Sequence, residues 1–177
     1  MNVTVYLASS RGKRSIFEEK VRELGKWIGE NGHTLIYGGS KIGLMGVIAD
    51  STLEAGGEVI GVEPKAFVEN YVQHEGITQL IVTDDLPDRR QKLIEMGDIF
   101  VAMPGGLGTL DEISEVFCLM TVDMFDKPCI IVNIDGYYDS LITFIDKMVE
   151  EGFLAEKVRD NIHFVNDVAD IAIITQN

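Results

Sequence analysis

Cysteine is scarce in this chain, with two residues, Cys118 and Cys129, in 177. Neither a CxxC pair nor a Cys/His cluster occurs, which argues against zinc ligation and leaves no metal expected. Cys118 falls in a helix-like segment and Cys129 in a strand-like one, and both are expected as buried free thiols of a reducing compartment. Positive charge is scarce too. Fifteen Lys and Arg stand against 29 Asp and Glu, a net charge of −14, and such a surface repels nucleic acid and anionic membranes. The longest apolar runs, such as Pro128 to Val132, are far too short to span a bilayer. No signal-peptide pattern opens the chain, because Val3 to Ala8 reads as a strand and runs straight into Ser9-Ser10-Arg11-Gly12; cytosolic residence is the expectation. Several catalytic signatures are also missing. There is no Gly-Lys-Ser/Thr of a Walker loop, no GxSxG elbow and no Cys/His nucleophile–base pair. Gly106-x-Gly108 meets Asp111 where the dinucleotide fingerprint needs its third glycine.

What is present is a regular alternation. Strand-like segments are expected at Val3 to Ala8, Thr34 to Tyr37, Glu58 to Val62, Ile77 to Val82, Ile99 to Met103, Ile130 to Ile134 and Ile162 to Val165. Between them lie helix-like segments: Ile16 to Asn31 with Ser15 as N-cap, Leu44 to Ala55, Arg89 to Met96 with Pro87 near its start, Thr109 to Thr121, and Tyr138 to Glu151. Pro64 is expected to stop the third strand, and Asp167 to cap a last helix. No linker or low-complexity break interrupts the pattern, so residues 1–177 read as one α/β domain. Repeated β–α units with wholly apolar strands imply a Rossmann-like three-layer sandwich, its doubly wound, mainly parallel sheet covered by helices on both faces.

In such sheets ligands bind beyond the carboxyl ends of the strands, at the switch point. Three loops meet that condition: Ser9 to Gly12, Gly38 to Gly43, and Pro104 to Thr109. The last is the most informative. It runs Pro104-Gly105-Gly106-Leu107-Gly108-Thr109-Leu110-Asp111-Glu112, from an apolar strand into a helix. Its glycines let the backbone approach a ligand, and the free N–H groups of a first helical turn point at an anion. Glu112 adds a carboxylate where an anion would bind, which points to chemistry on a phosphorylated substrate. Thr109 and Glu112 also fit a capping box, each side chain bonding the other's backbone N–H; spacing alone leaves both readings open. Arg11, Lys13, Arg14, Lys41, Arg89, Arg90 and Lys92 fall near these loops and suggest a local cationic pocket in an acidic protein. Two glycine turns facing one crevice, with arginines nearby, fit a mononucleotide better than a dinucleotide.

Two long stretches carry a family resemblance. Pro104 to Glu112 fits PGGxGTxxE, and Tyr37-Gly38-Gly39 with Gly43-Leu44-Met45-Gly46 fits YGGxxxGLMG. Ala49-Asp50, Gly56-Gly57 to Gly61-Val62, and Asp135-Gly136-Tyr137-Tyr138 with Glu151-Gly152-Phe153 agree. The chain thus resembles, over nearly its whole length, the Lonely Guy family, formerly misnamed lysine decarboxylases. Departures from the family pattern are Leu7-Ala8 before Ser9-Ser10, Leu86-Pro87-Asp88 before Arg89-Arg90, and Cys118-Leu119-Met120-Thr121, where an aromatic and an amide are expected near the base pocket.

The resemblance implies a homodimer that needs no cofactor and hydrolyses the N-glycosidic bond of a nucleoside 5′-monophosphate, AMP or a cytokinin riboside monophosphate. On that basis Glu112 and Arg89 are the expected catalytic residues. Phosphate and substrate contacts are expected from Gly105, Gly106, Leu107, Gly108 and Thr109, with Ser9, Ser10, Gly38, Gly39, Gly43, Arg90 and Asp111 around them. First-turn placement should keep Glu112 ionised at neutral pH. A non-catalytic nucleotide sensor, or a molybdenum-cofactor carrier with the same PGGxGT turn, is the competing expectation; pyridoxal-phosphate chemistry is not, since no lysine has a Schiff-base context. His33 reads as a solvated turn residue, His74 beside Tyr71 as a possible site residue, His163 as part of the last strand and Trp27 as packing. Met120, Met124 and Phe125 are expected on a dimer face.

Overall fold

The computed structural model describes residues 1–68 and 73–175. Seven strands form one sheet: β1 (Asn2–Tyr6), β2 (Thr34–Tyr37), β3 (Glu58–Pro64), β4 (Gln79–Thr83), β5 (Ile99–Ala102), β6 (Cys129–Val132) and β7 (Ile162–Val165). Their order is β4-β3-β2-β1-β5-β6-β7, and every neighbouring pair is parallel. The chain winds outward from β1 to β4, returns to lay β5 on the other side of β1, and winds outward again. The switch point therefore lies between β1 and β5, and a crevice opens there beyond the strand ends. The sheet is wholly parallel where a mainly parallel one was expected.

Period-two alternation divides the core between the two faces. Val3, Val5, Leu35, Tyr37, Val59, Val101 and Val132 pack on one face against α1 (Ser15–Glu30), α2 (Gly43–Glu54) and, at the edge, α8 (Ile171–Thr175). Tyr6, Ile36, Val62, Phe100, Ala102 and Ile131 pack on the other against α4 (Leu86–Met96), α5 (Leu107–Thr121), α6 (Asp139–Glu150) and α7 (Glu156–Asp160). Single-turn α3 (Lys65–Val68) follows β3 directly.

The element boundaries depart from the sequence pattern in instructive places. Strand β3 runs on through Pro64, which pairs with Thr83 of the edge strand β4. Helix α1 starts at Ser15, so Arg14 holds the cap position and no side chain caps it. Helix α4 begins a turn before Arg89, because the Asp85 carboxylate accepts from the Asp88 N–H at 2.9 Å and Pro87 suits a first turn. Helix α5 starts at Leu107 with Gly106 at the cap position, not at Thr109. The capping box of Thr109 and Glu112 does not form, and Glu112 falls in the second turn. The short helices α3 and α7 have no apolar period long enough to be read from sequence. Asp167 does cap a helical turn, in a reciprocal box with Asp170.

Candidate active site

The crevice at the switch point has a volume of about 700 Å³, within the usual range of small-molecule sites. One end is built by Ser9 and Ser10 after β1 and by Gly106, Leu107, Gly108, Thr109, Asp111 and Glu112 of α5. The other is built by Gly38 and Ser40 after β2, Ile42, Met45, Glu63, Phe67 and Leu86. Arg89 and Arg90 of α4 lie along it.

Two helices open onto this space with no side chain at their caps, α5 at Gly106 and α2 at Ile42. The first N–H groups of such helices have no intrahelical acceptor, and their dipoles favour an anion. Around Gly106 and Gly108 the space is open. The turn itself is held from behind: Tyr138 Oη donates to Met103 O at 2.8 Å, and Tyr137 Oη donates to Gly105 O. Asn133 holds Tyr138 in turn, accepting its N–H at 2.7 Å.

Gly43 and Gly39 answer to different demands. Gly43 has φ +64°, and a Cβ there would strike the Ser9 carbonyl and the Ser10 nitrogen; only glycine lets α2 start against the loop after β1. Gly39 has φ +84° and abuts the Glu63 side chain. Gly39, Gly43 and Gly105 thus shape the crevice without lining it, whereas Ser9, Ser10, Gly38, Arg90, Gly106, Leu107, Gly108, Thr109 and Asp111 line it together with Arg89 and Glu112.

Arg89 and Glu112 form the centre. The guanidinium donates from Nε to Val62 O at 3.0 Å and from Nη1 to Glu112 Oε1 at 2.7 Å, while Nη2 lies against Gly38. Glu112 is only 9% exposed. Its burial pushes the carboxyl pKa up; the charge and hydrogen bond of Arg89 oppose that push, and burial wins. This corrects the expectation that a first-turn position holds the group ionised: the helix begins too early for that, and Arg89 is the stabilising charge.

The local cationic pocket is smaller than the sequence suggested. Arg11 pairs with Glu18, Arg14 with Asp135 and Lys92 with Glu95. Arg90 is tied to α5 through Glu115 at 2.8 Å and Asp111 at 3.3 Å. His74 lies outside the crevice, its Nε2 3.0 Å from Asp50 Oδ1; Tyr71 falls outside the described residues. His33 is half-buried with its ring 5.2 Å from that of Trp27, not solvated. Met120 is buried in the core and so belongs to no dimer face. Cys129 is buried, but Cys118 is exposed on the outer side of α5. None of residues 118–121 lines the crevice. Among the described residues no cluster of His, Cys, Asp or Glu could hold a metal, and no helix is long and apolar enough to cross a membrane.

Glu63 escaped the sequence reading altogether. It sits in an apolar strand, where only burial in three dimensions makes a carboxyl unusual. It is 0% exposed, both its oxygens lack a hydrogen-bond partner among the described residues, and burial raises its pKa to about 7.

A parallel doubly wound sheet whose switch-point crevice holds two helix starts without side-chain caps and a buried carboxylate–guanidinium pair defines an α/β protein of the Rossmann-like class. Residues 45–174 match the family described as "Possible lysine decarboxylase". A probable cytokinin riboside 5′-monophosphate phosphoribohydrolase of Oryza sativa subsp. japonica is 38% identical over 157 residues, 89% of this chain and 64% of that protein. The corresponding Arabidopsis thaliana enzyme is 37% identical over 160 residues, 90% of this chain and 74% of that one. In the Rhodococcoides fascians enzyme the figures are 33% over 168 residues, 94% and 85%. The chain therefore belongs to the Lonely Guy family of phosphoribohydrolase-like proteins, and spans just under two thirds of the rice relative's length. Among solved structures, the molybdenum cofactor carrier protein of Chlamydomonas reinhardtii superposes with a TM-score of 0.75 at 23% identity, covering 99% of this chain and 96% of that one. The molybdenum cofactor binding protein of Rippkaea orientalis gives 0.73 at 19%, covering 99% and 94%. At those identities the likeness concerns the fold alone.

Proposed function

We propose that this protein hydrolyses the N-glycosidic bond of a nucleoside 5′-monophosphate, releasing the free base and ribose 5-phosphate. The observation that carries this reading is the Arg89–Glu112 pair, a shielded carboxylate one helical turn from an open anion cradle. The phosphate sits on the N–H groups of Leu107, Gly108 and Thr109, with the Ser9 and Ser10 hydroxyls donating from the facing loop. Phosphate binding energy then positions the sugar, whose anomeric carbon faces Glu112.

Bond cleavage builds positive charge on the ribose. The Glu112 carboxylate stabilises that charge and takes a proton from water; the water oxygen bonds to C1′ as the C1′–N bond breaks and its electron pair leaves with the base. Arg89 keeps the carboxylate ionised and aimed by bonding both Glu112 and the β3 backbone. A carrier or sensor would need the cradle but gains nothing from a desolvated carboxylate beside it, so the hydrolase reading is the stronger one. Relatives in rice, Arabidopsis and Rhodococcoides named for the same reaction support it. Incubation with AMP and chromatography for adenine tests it; tight AMP binding with no adenine formed would leave the sensor reading in its place.

We further read the protein as a homodimer. Leu107, Leu110, Cys118 and Val122 form one exposed face of α5, with Met124 beyond it, and an apolar helix face of this kind favours burial against a second copy. Two free thiols fit the reducing cytosol.

A further inference from the structure

The crevice has a buried carboxyl besides Glu112 for which the hydrolytic scheme has no use. Glu63 stands near the end of β3, on the same face as Tyr37, whose register partner is Gly61. Tyr37 Oη and both Glu63 oxygens are buried and make no hydrogen bond among the described residues. Leaving such groups unpaired costs stability, and an apolar residue would fill the site at no such cost. A carboxyl kept there suggests a ligand that uses it.

Position indicates which part of the ligand. Sheet order places β3 three strands from β5, about 14 Å at the usual inter-strand spacing. The anion cradle sits over β5, Glu112 and Arg89 lie between, and Glu63 stands on the β3 side with Phe67, Leu86 and Met45. That end is apolar and includes an aromatic ring, the surroundings a planar base requires. Among the described residues Glu63 is the one carboxyl at that end. Resting on the phosphoribohydrolase reading, we propose that Glu63 is the base-reading residue: its carboxyl accepts from the exocyclic amine of an adenine-type base and donates to N7 on the same edge.

A neutral carboxyl has one donor and one acceptor; an ionised one has acceptors only. On its N7 edge adenine presents the exocyclic amine and the N7 acceptor, whereas guanine's N7 edge presents two acceptors, O6 and N7. The neutral acid therefore complements adenine. Burial favours that neutral form, with a pKa of about 7, and Arg89 on α4 opposes it. Tyr37 on β2 is the other titratable group facing Glu63, with Asp50 of α2 acting on Tyr37. From β4 comes apolar Leu80, against Gly39 beside the Glu63 side chain.

The test compares AMP, GMP and purine riboside 5′-monophosphate, which lacks the amine, on the wild type, Glu63→Gln and Glu63→Leu. Glutamine keeps one donor and one acceptor at every pH, and leucine keeps neither. Leucine should lower kcat/KM for AMP roughly tenfold or more through KM and change purine riboside monophosphate by less than about threefold. In the wild type, KM for AMP should rise as pH passes about 7, and glutamine should abolish that rise. A residue that is merely structural, or that only binds a buried water, would shift all three nucleotides alike; an unchanged AMP preference in the leucine variant, or the same pH profile for glutamine and wild type, overturns the proposal. If the wild type releases base from none of the three, the hydrolase reading fails instead. Calorimetric binding of AMP and purine riboside monophosphate to the same proteins then reads the same preference and judges Glu63 alone.

Discussion

Arg89 donates to Glu112 at 2.7 Å across the crevice, and both side chains are almost wholly buried. The two lie 23 residues apart in sequence, on separate helices. The pair solves one problem: a carboxylate dry enough to face a developing cation would take up a proton unless a fixed positive charge stood beside it.

Replacing Glu112 with glutamine keeps an acceptor for Arg89 but removes the carboxylate proposed as the base. Turnover of AMP should fall about a hundredfold or more, with the far-ultraviolet circular dichroism unchanged. Adenine release at the wild-type rate would remove Glu112 from the chemistry.

Arg89→Ala should do more than lose a contact. It leaves Glu112 buried without its counter-charge, so the carboxyl pKa, already raised, should rise further. Activity that requires the ionised form is lost as pH falls through that pKa, so the acid limb of the rate profile should move to higher pH in the variant. A limb that stays in place would show that Arg89 does not set the ionisation of Glu112. Arg89→Lys should rescue only in part, since an ammonium cannot reproduce the planar fork that bonds Val62 O and Glu112 together.

Gly43→Ala tests the packing of α2 on the loop after β1. The positive φ and the Ser9 backbone both exclude a Cβ, and we expect a loss of about 1–3 kcal/mol in urea unfolding, together with weaker nucleotide binding. Gly108→Ala, where a Cβ meets open space, is the control and should fold normally.

Glu63 has its pKa raised to about 7, so it binds more proton in the folded protein than in the unfolded chain between the ordinary carboxylate range and about pH 7, and burial shifts Glu112 in the same direction. Stability contributed this way is fully present at low pH and is lost as pH rises through the folded values. For the crevice carboxyls, the wild type should therefore lose stability as pH rises toward 7. Glu63→Leu should flatten that slope and raise Tm, because an unpaired buried carboxyl is exchanged for an apolar group. Thermal melts across pH decide it; a lower Tm for the leucine variant at pH 7 would mean the carboxyl has a partner after all.

Sedimentation tests the α5 face. The wild type should run as a dimer, and Leu110→Asp should shift it toward monomer. A monomeric wild type at micromolar concentration would end the dimer reading.

The sequence by itself determined the doubly wound α/β plan, the positions of the three loops beyond the strand ends, and the carboxylate Glu112 just after the glycine turn. These depend on local signals: apolar runs of strand length, helical periods, and glycines where the backbone must turn. The helix starts at Leu86 and Leu107 were less legible, because the Asp85 cap overrode the apolar period at the first and the helix runs back to an uncapped Gly106 at the second. Only the tertiary structure decided that Arg89 meets Glu112, that Arg11, Arg14 and Lys92 pair elsewhere, that Met120 is core, and that Glu63 is dry and unpartnered. Those facts depend on which strands lie side by side and which surfaces lose water, and neither burial nor a charge's partner is fixed until distant segments have packed together.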